Sequence, residues 1–193
     1  MNEILGNVLA IMIVGILIVS LFQLQTRMAQ RNIIDTQSYN LQLRSEILRE
    51  QIREDIKVAG YNITDLYHSI KFASKNRITF VHDSNENSIP DTVSIFTRDY
   101  VTDPTTNPND FQLIRSTKAG EYDYGVSGLT NFKFTYYDKN NNTTTQLDKI
   151  KIIQFEYTLM GQEPVESSGI NDITKYPIAD GFDKVFIKNI YDW

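Results

Sequence analysis

Ile4 to Phe22 reads ILGNVLAIMIVGILIVSLF, nineteen residues in succession without a charge. As a helix rising about 1.5 Å per residue, this stretch covers roughly 28 Å, close to the thickness of a bilayer's hydrocarbon core. Two other readings compete with a membrane span: a buried core helix and a cleavable secretory signal. A signal would want basic residues before the apolar run and a small-x-small site after it. Here Glu3 precedes the run, and Gln23-Leu24-Gln25-Thr26-Arg27 follows it.

Working outward, nothing stops the helix until Gly60. Residues 23–59 contain no proline and no glycine and are rich in Leu, Gln, Arg and Glu, so the sequence predicts one helix of about 55 residues. At about 100° per residue, Ile34, Leu41, Leu48, Ile52, Ile56 and Ala59 fall within an arc of roughly 80°. Leu43, Ile47, Ile33 and Val58 form a second, weaker stripe elsewhere on the circumference. Two apolar faces imply two partners. The charges from Arg44 to Lys57 read as a solvated face with local pairs such as Glu46 with Arg49 and Glu50 with Arg53, worth about 0.2–0.5 kcal/mol each.

From Gly60 onward the period changes. Short β-rich runs alternate with Asn/Asp/Pro/Gly clusters, which is the pattern of an antiparallel sheet. The runs are Arg77 to His82, Thr92 to Arg98, Phe111 to Arg115, Asn131 to Tyr137, Ile150 to Met160 and Lys184 to Tyr191. Phe132, Phe134 and Tyr136 share one face, as do Ile153, Phe155, Tyr157 and Leu159, so these strands bury one side against a helix. The long amphipathic helix is the only large candidate, with Leu48, Ile52 and Ile56 on the stripe that would pack on the sheet. Asp138 to Gln146 reads as a hairpin loop and Thr102 to Asp110 as an exposed loop. The expected fold class is α+β, in three parts: a transmembrane or filament-core segment over 1–26, its amphipathic continuation over 27–59, and an antiparallel β-rich globular domain over 60–193.

Composition narrows the chemistry. The chain has 193 residues, 19 Lys+Arg against 24 Asp+Glu, a net charge of −5, two histidines and no cysteine. That balance gives no electrostatic footprint for nucleic acid, and thiolate chemistry is excluded. His68 and His82 lack a recognisable partner pattern. Asp138, Asn140 and Asn142 resemble the start of a calcium loop, as do Asp83, Asn85 and Asn87, but neither run has glycine at the sixth position or glutamate at the twelfth. Turn chemistry accounts for both. Gly125 to Gly128 (GVSG) reads as a turn, and Asn62-Ile-Thr64 and Asn142-Thr-Thr144 match the glycosylation sequon in an Asn-rich chain. The reading is therefore no catalytic residue, no cofactor, no metal and no small-molecule substrate.

Three stretches carry a family resemblance. LREQIREDIKVAGYNI (Leu48 to Ile63) is similar to the end of the long helix in PilW-type minor pilins and in the J-type pseudopilins of type II secretion. GVSGLTNFKFTYYDKNNN (Gly125 to Asn142), followed by LDKIKIIQFEYTL (Leu147 to Leu159), resembles the strand, turn and strand of the same proteins. KVFIKNIY (Lys184 to Tyr191) resembles their terminal strand. The chain as a whole thus resembles a type IV pilin-like protein. Members carry a short basic leader and a glutamate near the start of the mature helix. This sequence begins Met-Asn-Glu, and EILGNVLAIMIVGIL laid on the family pattern places Glu3 at the glutamate.

The resemblance implies a structural subunit, a minor pilin or pseudopilin of a type IV pilus-like or type II secretion-like filament. Its partners would be other pilin-like subunits met through the N-terminal helix, with membrane lipid before assembly. Glu3 would neutralise a neighbouring subunit's N-terminal amine, and the exposed stripe of Leu43 and Ile47 would serve assembly. The chain would be a single-pass membrane protein with its globular domain outside the cytoplasmic membrane, and in assembled form part of a periplasmic or cell-surface filament. The positive-inside rule points the other way, because Glu3 lies before the span and Arg27 and Arg31 lie after it. The alternative is a single-pass anchored binding or scaffold protein with residues 23–59 as a helical stalk.

Overall fold

The computed structural model describes residues 2–63, 69–83, 86, 89–100, 110–161 and 176–187, with side chains from Ile4 onward. Helix α1 runs unbroken over Asn2–Lys57, 56 residues. Beyond it the chain turns at Gly60, whose φ of 73° lies in the left-handed region that suits glycine at the end of a helix. Gly60 N–H donates to Val81 C=O at 2.8 Å, which ties the end of the helix to the sheet.

Among the described residues eight strands follow: β1 (Ile70–Ser74), β2 (Arg77–His82), β3 (Asp91–Asp99), β4 (Phe111–Thr117), β5 (Gly120–Asp123), β6 (Leu129–Tyr137), β7 (Ile152–Met160) and β8 (Ile178–Phe186). They form two antiparallel sheets, a five-stranded meander in the order β1-β2-β3-β4-β5 and a three-stranded one in the order β6-β7-β8. The architecture is α+β, one long N-terminal helix packed on antiparallel sheets. The sheets are joined where Phe134 N–H donates to Lys75 C=O at 2.7 Å and the Tyr136 phenol donates to Ser74 C=O at 2.7 Å. Burial pushes that phenol well above its ordinary pKa, so it stays a donor.

The core lies between the inner face of α1 and both sheets. Leu48, Ile52, Ile56 and Ala59 are fully buried there, with Phe80 and Ile95 from the larger sheet and Phe155 and Ile153 from the smaller. On β6 and β7 the alternation is regular: Phe132, Phe134 and Tyr136 point inward, as do Ile153, Phe155, Tyr157 and Leu159.

Most strand boundaries differ from the sequence reading by a residue or two, as where β7 begins at Ile152 and not at Ile150, and three departures are larger. The terminal strand begins at Ile178, six residues before the expected Lys184, and β1 and β5 were not expected at all. Asp180-Gly181 carries turn chemistry yet sits in mid-strand. Gly181 pairs with Tyr157, and a Cβ built on it would lie 2.2 Å from that ring. The missing side chain therefore makes room for the aromatic ring that reaches α1. Gly181→Val is expected to cost about 1–3 kcal/mol as an overpacked core. In a Tyr157→Leu background most of that cost should disappear. Thermal unfolding of the four chains measures it, and an equal cost in both backgrounds would assign the glycine another role.

Candidate functional site

The features with potential for function lie along α1, which presents three environments. From Ile4 to Phe22 every residue is exposed, the large apolar ones between 48% and 72%. No part of the most apolar eighteen-residue window is buried, and its mean hydropathy is 2.7, so the helix is long and apolar enough to cross a membrane. The second environment is the buried face, on which Leu41, Ser45, Leu48, Ile52, Ile56 and Ala59 follow one another at helical spacing. Ile34, further toward the N-terminus, is half-buried. The third is the exposed stripe: Ile33, Leu43 and Ile47 are 58%, 49% and 50% exposed, while Val58, at its end, is half-buried against the core. Glu3 falls in the first turn of α1, and its side chain lies outside those described.

Polar contacts fix the helix to the sheets at three heights. Near the middle, the Tyr157 phenol donates to Ser45 C=O at 2.5 Å, and Ser45 Oγ lies 3.0 Å from the same phenol oxygen. Lower down, Arg53 Nε stands 3.7 Å from Asp183 Oδ2 on β8. On the opposite side Asp55 accepts two bonds, from Arg115 Nε at 2.9 Å and from the Tyr124 phenol at 2.6 Å. One carboxylate thus holds β4 and the segment after β5 against the helix. Burial first, and then the Asp55 charge beside it, push the Tyr124 phenol well above its ordinary pKa, which keeps its proton on the bond to Asp55. The expected local pairs also form: Arg49 with Glu46, and Arg53 with Glu50 at 3.9 Å.

A groove of about 630 Å³ opens between α1 and the β4–β5 hairpin, lined by Ile47, Glu50, Glu54, Tyr122 and the Asp55–Arg115 pair. The exposed stripe of the helix therefore leads into the groove at Ile47. Ser45, Asp55, Arg115 and Tyr124 were not picked out in the sequence. Ser45 carried a signal, since it is a small polar residue at the spacing of the buried face, four residues after Leu41 and three before Leu48. The partners of Asp55 lie at least 60 residues away in the chain, and no local pattern joins them to it.

His82 is buried at the end of β2 opposite Asp91, and burial lowers its pKa, favouring the neutral ring. His68 lies outside the described residues. Asp138 accepts the backbone N–H of Asn140 at 2.8 Å and of Asn142 at 2.9 Å; these bonds, that of Asn142 foremost, hold its carboxyl below the ordinary range and close a tight turn. Asp83 accepts from Asn62 Nδ2 at 3.2 Å, and Asn85 and Asn87 lie outside the described residues. Among the described residues no group of three His, Asp or Glu side chains is placed to hold a metal ion. Compared with family models, with curated proteins and with solved structures, the chain matches none.

Proposed function

We propose that this chain is a membrane-anchored structural subunit, a minor pilin or pseudopilin of a type IV pilus-like or type II secretion-like filament, assembling through its apolar N-terminal helix. The observation that carries this reading is the division of a single 56-residue helix into a fully exposed apolar half and a half docked on sheets. In a bilayer the first half is covered by lipid. In a filament it is covered by like helices, with the β-domains on the outside. Leu43 and Ile47 extend the apolar surface along the docked half and suit lateral contact with a neighbouring subunit.

In such a filament Glu3 would stand in an apolar core, where a carboxylate paired with a neighbour's amine is tolerated and an uncompensated charge is costly. Glu3→Gln is expected to lower the amount of chain in sheared filaments while leaving the membrane-bound pool unchanged. Mass spectrometry of purified filaments and of membranes measures both pools. Equal incorporation of the two forms would remove the pairing role from Glu3. Absence of the wild-type chain from every filament preparation would favour the second reading, an anchored binding protein. The groove beside Asp55 supports that reading, since it places aromatic and acidic side chains next to a stalk-like helix.

A further inference from the structure

Arg27 and Arg31 stand one helical turn apart on the exposed half of α1, and among the described residues neither has an ion-pair partner. Further along the helix two carboxylates have the same spacing, Glu50 and Glu54, on the rim of the groove beside Asp55. Asp55 is held by Arg115 and Tyr124, and Asp123, on the far wall, accepts from Gln112 Nε2 at 3.1 Å. Glu50 and Glu54 have only exposed contacts within their own helix, with Arg53 at 3.9 Å and with Lys57.

The match extends to the neighbouring turns. Ser20, Leu24, Arg27 and Arg31 follow one another at spacings of four, three and four residues, and so do Leu43, Ile47, Glu50 and Glu54. Each member of the first set has its counterpart twenty-three residues on: small with large, apolar with apolar, and base with acid twice. At about 100° per residue the two stripes lie about 140° apart, on opposite sides of the helix. Contact between two copies in the same orientation needs that placement. We propose, resting on the filament reading, that the Leu43–Glu54 stripe of one copy docks on the Ser20–Arg31 stripe of a second, parallel copy displaced by twenty-three residues, about 34 Å along the helix.

Ser20 then faces Leu43, Leu24 faces Ile47, Arg27 faces Glu50 and Arg31 faces Glu54. The Ser20 hydroxyl donates to Ile16 C=O at 2.9 Å, which leaves a small surface for Leu43 to cover. The contact is heterologous, and because the stripes are about 40° short of opposite, each copy turns about a common axis and the array winds instead of growing flat. Both apolar halves keep one direction. The docked face of α1 begins at Leu41, so in the displaced copy it starts about 10 Å beyond Lys57 of the first, and the β-domains occupy successive levels. One other acidic pair on α1 has the same spacing, Glu46 and Glu50. Setting the arginines there brings the stripes to about 100° apart, places Ser20 against Tyr39 and leaves Glu54 uncovered.

The chain has no cysteine, so introduced pairs report the register directly. Facing Cα atoms on helices packed about 8–10 Å apart lie about 5 Å from one another, within reach of a disulfide. In cells making the full chain, Ser20→Cys with Leu43→Cys is expected on mild oxidation to give a ladder of dimers and longer multimers, because each chain offers one thiol to either side. Either substitution alone is expected to give none. Ser20→Cys with Ile47→Cys is one helical turn out of register, with Cα atoms about 8 Å apart, and is expected to link far less. In the chain with cysteines at 20 and 43, Glu50→Lys with Glu54→Lys is expected to cut the ladder about tenfold, and Arg27→Glu with Arg31→Glu added to them is expected to restore it. A linked product from a single cysteine, equal yields at 43 and 47, or no restoration by the charge exchange would overturn the proposal. Sheared filaments separate its failure from that of the filament reading: chain present in filaments but unlinked overturns this contact alone, and chain absent from every filament overturns both.

Discussion

Ile52→Ala is expected to destabilise the domain by about 2–5 kcal/mol, whereas Ile47→Ala, five residues earlier on the same helix, is expected to change stability by less than about 0.5 kcal/mol. The two side chains are chemically identical, and their surroundings differ. Ile52 is fully buried in the core that α1 shares with both sheets, so truncation removes its transfer free energy and leaves a cavity. Ile47 is 50% exposed on the other stripe, where water already reaches most of it. Thermal unfolding of a chain shortened to begin at Met28 separates the two, because residues 4–33 are all exposed and none is buried in the core. A cost for Ile47→Ala equal to that for Ile52→Ala would mean that the helix turns a different face to the sheets. If the stability cost stays with Ile52 and a loss of filament incorporation goes with Ile47, the two stripes have separate partners.

This division was legible in the sequence because it depends only on periodicity. A helix keeps its 3.6-residue repeat across 56 residues when no proline or glycine interrupts it, and the buried set of Leu41, Leu48, Ile52, Ile56 and Ala59 is the stripe that the spacing gives. Strands β6 and β7 were legible for a similar reason, since aromatic and β-branched residues alternate along both. Strand β5 was not, because GEYD is short, polar and exposed throughout. Strand β8 was placed too late because Asp180-Gly181 is a turn signal in sequence, and only the Tyr157 ring lying over Gly181 shows why glycine stands there.

The candidate site was less legible than the fold. Asp55 lies beside Ile52 and Ile56 and reads locally as part of the solvated face. In the folded chain it binds Arg115 and Tyr124, both brought to it by the five-stranded meander. Contacts of this range depend on strand order, which local pattern does not contain. The groove at Ile47 has the same origin, since its far wall belongs to β4 and β5.

Val14→Arg is expected to move the full chain out of the membrane fraction. Val14 lies near the centre of the uncharged run and is 53% exposed, with no protein group covering it. If that surface is covered by lipid, a guanidinium there costs about 2.5–3.5 kcal/mol on insertion scales, a shift of roughly a hundredfold in the partition between membrane and water. Arg27 and Arg31, more than two helical turns away, already sit at the membrane boundary under this reading and offer the new charge no counter-ion. The β-domain should be untouched, because the buried face of α1 begins only at Leu41. Carbonate extraction followed by thermal unfolding tests both halves of the statement. Wild-type chain retained in carbonate-washed membranes, Val14→Arg released, and equal unfolding midpoints are the expected results. Full retention of the variant would take the anchor away from Ile4–Phe22, and a lowered midpoint would mean that the exposed half of the helix contributes to the fold after all.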